Sequence, residues 1–173
     1  MNGLFYGSGT ALVTPFRDGK VDFAALGALI DWQISSGTDA LVVLGTTGEP
    51  STLSDAERAQ IIAFAVERAA GRVPVIAGTG SNDTAKAVAL ARSAEAEGAD
   101  ALLVVTPYYN KAGDDGLIQH FTAIAERVQV PIIAYNVPSR TGVNLKPEIV
   151  VELAKHPRIR GIKEASGNMR QIA

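Results

Sequence analysis

Ala101-Leu102-Leu103-Val104-Val105 runs through five apolar residues without a polar interruption. A strand with one wet face alternates apolar and polar side chains. A continuous run instead marks a strand covered on both faces, as in a parallel sheet flanked by helices. Comparable runs occur at Ala11–Val13, Ala40–Leu44, Val73–Ala77, Pro131–Tyr135 and Ile159–Lys163. Their spacing of about 30 residues is the length of one strand-plus-helix unit.

The intervals carry helical patterns with recognisable ends. Asp22 opens a first helix through Leu26, Leu29, Ile30 and Ile34, and Gly37 closes it. Ser54 and Glu57 form a capping box for a second, which continues through Ile61, Ile62, Phe64 and Ala65 to Gly71. Asn82 or Ser81 caps a third through Val88, Ala89 and Ala91, stopped by Gly98. A fourth spans about 114–127, and a fifth starts at Pro147, a good first-turn residue, and ends near Lys155.

Six βα periods without reversal predict a parallel sheet, either doubly wound or a (β/α)₈ barrel. No G-x-G-x-x-G follows the first strand, which disfavours dinucleotide binding. The unusual polar residues cluster after the strands' C-terminal ends, where barrels carry their chemistry. The expected fold is therefore an α/β TIM barrel, residues 1–173 forming a single domain that supplies the first six βα units. A whole barrel takes about 250 residues. The expectation is thus a truncated chain with its first and sixth strands as bare edges, or a sheet completed by another chain.

Composition narrows the function. With 47% hydrophobic residues the chain can build a core, and 16 basic against 18 acidic residues give a net charge of −2, which implies no nucleic-acid partner. There is no cysteine, excluding disulfides and thiolate chemistry. His120 and His156 lack ligand-like spacing and are read as surface or helix-end residues, so no metal site is expected. No apolar run approaches the roughly 20 residues of a membrane span, and Met1-Asn2-Gly3-Leu4 lacks a signal-peptide layout. The expected location is the cytoplasm, with no membrane contact.

Four strand ends bear the candidate chemistry. Arg160-Gly161-Ile162-Lys163-Glu164 ends an apolar strand in a lysine. A buried unpaired ammonium is costly, and a lysine in such a place commonly becomes a neutral amine able to attack a carbonyl. The competing reading is a lysine that reaches water from the strand tip. Gly45-Thr46-Thr47-Gly48-Glu49 reads either as a tight turn or as a carboxylate cradle of hydroxyls and backbone N–H groups. In Thr106-Pro107-Tyr108-Tyr109-Asn110 the adjacent tyrosines of an extended segment face opposite ways, one toward a site and one toward an interface, unless both simply cover apolar surface. Tyr135-Asn136-Val137-Pro138-Ser139-Arg140-Thr141-Gly142 offers a phenol for proton transfer and a guanidinium for a carboxylate, with Ser139 and Thr141 as ordinary turn residues. In a barrel these strand ends converge on one mouth. The inventory suits an imine-forming enzyme acting on a small keto acid.

In this order G-T-T-G-E, T-P-Y-Y-N, Y-N-V-P-S-R-T-G and G-I-K-E-A-S-G-N resemble the dihydrodipicolinate synthase family, and the resemblance extends back to Gly7–Phe16. It implies a Schiff-base lyase, without a separate cofactor, that condenses pyruvate with L-aspartate 4-semialdehyde on the route to diaminopimelate and lysine. By that resemblance Lys163 forms the imine, and Tyr135, Thr46 and Tyr109 form a proton relay, with Tyr109 entering from a neighbouring subunit. Thr47 binds the pyruvate carboxylate, Arg140 receives the semialdehyde carboxylate, and Tyr108 stacks at the dimer interface of a homotetramer. N-acetylneuraminate lyase-like relatives share the lysine and the strand-five tyrosine, but resemble G-S-T-G-E and lack the arginine. Lysine-inhibited members carry an acidic residue where this chain has Lys86, and often a histidine at Arg58; weak feedback inhibition is expected. Beside the synthase stand two alternatives, a related pyruvate-dependent aldolase and an inactive half-barrel.

Overall fold

The computed structural model describes residues 4–173. Met1-Asn2-Gly3, on which the targeting reading partly rests, lie outside the described residues. The chain divides into two compact units, the first running to Gly78 and including Ser93–Ala101, the second comprising Thr79–Arg92 and Leu102–Ala173.

The first unit begins with strand β1 (Gly9–Ala11), followed by a two-stranded hairpin of β2 (Phe16–Arg17) and β3 (Lys20–Val21), then helix α1 (Phe23–Ser35). Strand β4 (Ala40–Val43), helix α2 (Asp55–Ala69) and strand β5 (Val75–Gly78) complete its main elements. β1 pairs with β4 and β4 with β5, both parallel, as the uninterrupted apolar runs require. β1 lies two residues before the predicted Ala11–Val13, and Val13 is exposed. The hairpin was not anticipated; its tip, Asp18-Gly19, has positive φ at both residues (52° and 74°), the conformation Asp-Gly turns adopt between antiparallel strands. The two predicted caps form. Asp22 accepts from the Ala25 N–H, and Ser54 and Glu57 make a reciprocal capping box.

The second unit is built on β6 (Ala101–Val105), β7 (Ile132–Asn136) and β8 (Ile159–Glu164), paired in that order and parallel. Helix α4 (Asp114–Ala125) follows β6, α5 (Pro138–Thr141) and α6 (Pro147–Leu153) follow β7, and α7 (Met169–Ile172) follows β8. Helix α3 (Thr84–Ala96) precedes β6. Its cap is neither Asn82 nor Ser81: Asp83 Oδ1 accepts from Ala85 N–H at 2.8 Å, while Ser81 Oγ accepts from Asp83 N–H at 3.2 Å and supports the cap. Gly37, Gly71 and Gly98 take left-handed φ values of 90°, 69° and 87° at helix ends, as read from sequence.

His120 departs from its predicted surface position. On α4 it is 3% exposed, with Nδ1 hydrogen-bonded to Thr84 Oγ1 at 2.9 Å and its ring set edge-on to Phe121. Its helical spacing with Leu117, Phe121 and Ile124 places it on the apolar face of α4. Burial pushes the imidazole below its ordinary 6.5, and Asp83 only partly offsets this. The unfolded chain therefore takes up a proton at higher pH than the folded one. The stability from His120 is fully present above about 6.5 and is lost progressively as pH falls below that value. Thermal unfolding followed between pH 7.5 and 5.5 should show a falling midpoint, flattened in His120→Gln; parallel slopes in both proteins would refute the role given to the imidazole.

Candidate active site

The second unit brings together the lysine and one tyrosine singled out in the sequence. β7 and β8 pair with Ala134 opposite Ile162, Tyr135 opposite Lys163 and Asn136 opposite Glu164. Paired residues on neighbouring parallel strands share a face, so Tyr135 and Lys163 project together and Asn136 and Glu164 project to the other side. Lys163 Nζ lies 4.5 Å from the Tyr135 ring centroid, within cation–π range. The tyrosine is 7% exposed.

Lys163 itself is exposed, and of β8 only Ile159 is buried, which corrects the expectation of a dry, covered strand. Among the described residues β8 pairs with β7 alone, so one side of Lys163 has no neighbouring strand to cover it. The Lys163 Nζ is set over the face of Tyr135 on an exposed side chain rather than enclosed in apolar surroundings.

The remaining candidates lie on loops after strand ends. Tyr109 is 87% exposed and Tyr108 39%. The opposite-face argument for this pair fails locally, because Tyr109 has φ 71° and the segment is not extended there. Tyr109 N–H reaches Thr141 O at 3.4 Å, which ties the tyrosine loop to the segment carrying Arg140. Ser139 and Arg140 are exposed on the short helix α5. Thr141 is buried, its hydroxyl donating to the Val143 carbonyl at 2.9 Å; it holds the turn, as expected.

Thr46 and Thr47, in the first unit, are exposed on a single 3₁₀ turn, Thr46–Gly48. The turn is set off by buried Leu44, whose φ of 56° is costly for a branched side chain. Gly78 makes room for it: a Cβ there would stand 2.0 Å from the Leu44 carbonyl oxygen. Thr14 Oγ1 donates to the Gly48 carbonyl at 2.7 Å and fastens the far end. The result is a loop braced at both ends that presents two hydroxyls. Of the two residues read as regulatory, Arg58 donates to the carbonyls of Pro50 (3.4 Å) and Gly78 (3.1 Å), and Lys86 is half-buried in the first turn of α3.

Sequence reasoning passed over the polar cluster behind the Tyr135–Lys163 pair. Asn136, 0% exposed, donates from Nδ2 to Glu164 Oε2 and to Asn144 Oδ1, both at 2.9 Å. Its Oδ1 accepts from Leu145 N–H at 2.8 Å. Glu164 Oε2 also accepts from Gln171 Nε2 at 3.1 Å, and Oε1 from Ser166 N–H at 2.6 Å. Burial alone would raise the Glu164 carboxyl, but the bonds from Asn136, Ser166 and Gln171 outweigh it and hold the group below its ordinary 4.5. The signal was their position: Asn136 and Glu164 directly follow the two residues chosen for chemistry. Two further hydroxyls, on buried Thr79 and Thr106, lack a hydrogen-bond partner among the described residues. Among the described residues no cluster of three or more metal-ligating side chains occurs, and no helix is long and apolar enough to cross a membrane.

Parallel strands each followed by helix, with candidate groups at the C-terminal strand ends, define the (β/α)₈-barrel class, of which this chain carries the first six βα units. Residues 4–173 match the model of the Dihydrodipicolinate synthetase family, and the chain belongs to that family. It is 57% identical over 171 residues to the 4-hydroxy-tetrahydrodipicolinate synthase of Thermoanaerobacter sp. (strain X514), covering 98% of this chain and 58% of that protein. The solved dihydrodipicolinate synthase of Aquifex aeolicus superposes with a TM-score of 0.94 at 50% identity, over 96% of this chain and 57% of the other. The chloride-inhibited dihydrodipicolinate synthase of Acinetobacter baumannii, complexed with pyruvate, gives 0.93 at 51%, over 95% and 57%. The chain thus spans somewhat under three fifths of the length of these relatives.

The lowered Glu164 carboxyl makes a pH prediction of its own. Its contribution is present above the unfolded value of 4.5 and is lost as pH falls through the lower folded value. Glu164→Gln should therefore lower the unfolding midpoint at pH 7, and the gap to the parent should close as pH falls below 4.5 and through the folded value. A constant gap across that range would contradict the charge-dependent role.

Proposed function

We propose that this chain carries the imine-forming centre of a 4-hydroxy-tetrahydrodipicolinate synthase, which condenses pyruvate with L-aspartate 4-semialdehyde in diaminopimelate and lysine synthesis. The observation that carries this reading is the Lys163 amine set 4.5 Å from the Tyr135 ring on the adjoining strand. The deprotonated Lys163 Nζ attacks the keto carbon of pyruvate, forming a carbinolamine. Protonation of the hydroxyl and loss of water leave the imine, so the lysine is the only carrier the step needs. Tyr135 hands on the protons of that exchange, with Thr46 and Tyr109 extending the relay. Thr47 holds the pyruvate carboxylate by hydroxyl and backbone N–H, and Arg140 receives the carboxylate of the second substrate.

The exposure of Tyr109 (87%) and Tyr108 (39%) supports contacts outside their own chain, and a homotetramer built of tight dimers fits that reading. The cytoplasm is the compartment that suits such a biosynthetic step. G-T-T-G-E and the arginine of S-R-T-G favour the synthase over a sialic-acid aldolase. A cation at Lys86 and the guanidinium of Arg58 oppose binding of the cationic lysine product.

Incubation with pyruvate followed by borohydride should add one reduced pyruvyl group at Lys163, and Tyr135→Phe should slow trapping by about a hundredfold or more. A folded sample with no adduct, or an adduct on another lysine, would overturn the reading. Without borohydride, aspartate semialdehyde, and not an N-acetylated amino sugar, should discharge the imine-bound pyruvate. Millimolar L-lysine should leave the condensation rate nearly unchanged; strong inhibition would remove the role assigned to Lys86.

A further inference from the structure

The ladder between β7 and β8 is irregular. Ile132 pairs with Ile159, but the next residue, Ile133, pairs with Gly161, so Arg160 is an extra residue on β8. Such a bulge breaks the transmission of register along a strand pair. Beyond it a slip of one residue would turn Lys163 to the opposite face of the sheet, away from Tyr135. The pairing beneath the bulge therefore does not by itself dictate what faces Tyr135. Something past the bulge has to fix it.

Past the bulge, a side-chain hydrogen bond joins the two strands, from Asn136 to Glu164 at 2.9 Å. Each of its members directly follows one member of the Tyr135–Lys163 pair. Asn136 is tied by its main chain as well, its carbonyl accepting from Ala165 N–H at 2.9 Å. Both hydrogens of its amide and its oxygen are used, by Glu164, Asn144 and the Leu145 N–H, so the side chain has one satisfied orientation. Glu164 is gripped from three sides by Asn136, Gln171 and the Ser166 N–H. A slipped β8 would take the Glu164 acceptor away and leave one donor of buried Asn136 unpaired, a penalty that opposes the slip.

We propose that Asn136 and Glu164 are positioning residues for Lys163: their bridge on the opposite face of β7 and β8 sets the register and strand rotation that hold the amine against Tyr135. The inference deepens the imine-forming reading above and rests on it for its catalytic meaning, while the geometric claim stands on the bridge and the bulge alone.

The chemistry of the bridge supplies its own test. In Glu164→Gln an oxygen of the carboxylate becomes an NH₂ group, which must face either the Ser166 N–H or the Asn136 and Gln171 donors, so the grip on the side chain breaks on one side. In Asn136→Asp a carboxylate faces a carboxylate. In the double variant N136D/E164Q the polarity is reversed and the bridge can reform, with the Asn144 and Gln171 amides turned over. Two readouts apply. One is the rate of borohydride trapping of pyruvate on Lys163. The other is the NMR shift of the Lys163 ε-methylene, which the ring current of Tyr135 displaces upfield and which needs no pyruvate. Each single variant should lose the upfield displacement and trap about tenfold or more slowly, and the double variant should recover both.

Single variants that are folded, less stable and unchanged in both readouts would show a merely structural role and overturn the proposal. Failure of the double variant to recover would do the same. Should the single variants not fold, Asn144→Ala loosens the same bridge from an exposed position, and an unchanged shift there also overturns it. A parent protein that forms no adduct would overturn the imine reading, and the ring-current shift would then decide the positioning claim separately.

Discussion

The parallel pairing of β7 with β8 is the constraint on which the candidate site depends. It places Tyr135 opposite Lys163 and brings the amine to 4.5 Å from the ring centroid, and it does so across a bulge. A parallel pair gains its side-chain alignment only from register, and register has two alternatives that differ in which face each side chain takes. Ile132 and Ala134 are buried on one face of β7 and Tyr135 on the other, so its apolar pattern does not choose between the faces. The Asn136–Glu164 bridge adds directional bonds where the apolar pattern of β8 has thinned to Ile159 and the half-buried Ile162.

The other candidate groups have supports of their own. Thr46 and Thr47 are held by a left-handed Leu44, by the missing Cβ of Gly78 and by the Thr14 hydroxyl on Gly48. A branched residue in that backbone region is retained only where its surroundings over-determine it, which commonly marks a functional loop. Tyr109 is likewise left-handed and almost wholly exposed, and its amide is tied to Thr141 beside Arg140. The exposed groups thus stand on braced backbones. That arrangement suits a site whose side chains must meet substrate while their main chains stay still.

Much of the architecture was legible because strand burial and helix capping leave direct marks. Ala101–Val105 matches its strand residue for residue, and Ser54 with Glu57 forms the box their spacing announces. Three features were not legible, each for a physical reason. The Asp18-Gly19 hairpin joins strands of two residues, too short to show alternation. His120 is expected at the surface or a helix end, although its helical phase with Leu117 and Phe121 puts it in the core. Lys163 was expected under cover because β8 begins as an apolar strand, but cover depends on neighbours that its own sequence does not specify. The candidate residues themselves were found from strand ends and from ordered motifs. The bridge behind them was missed because Asn136 and Glu164 act across strands, through a register no single run of sequence displays.

The proposed function turns on one atom, the Lys163 Nζ, which lies 4.5 Å from the Tyr135 ring centroid. The most direct measurement is a crystal structure of the protein soaked in pyruvate and fixed with borohydride. Continuous density from Lys163 Nζ to the former keto carbon, with the Tyr135 hydroxyl within hydrogen-bond reach, is the predicted result. Unmodified Lys163 beside ordered pyruvate elsewhere, or a β8 register that turns Lys163 away from Tyr135, would contradict it.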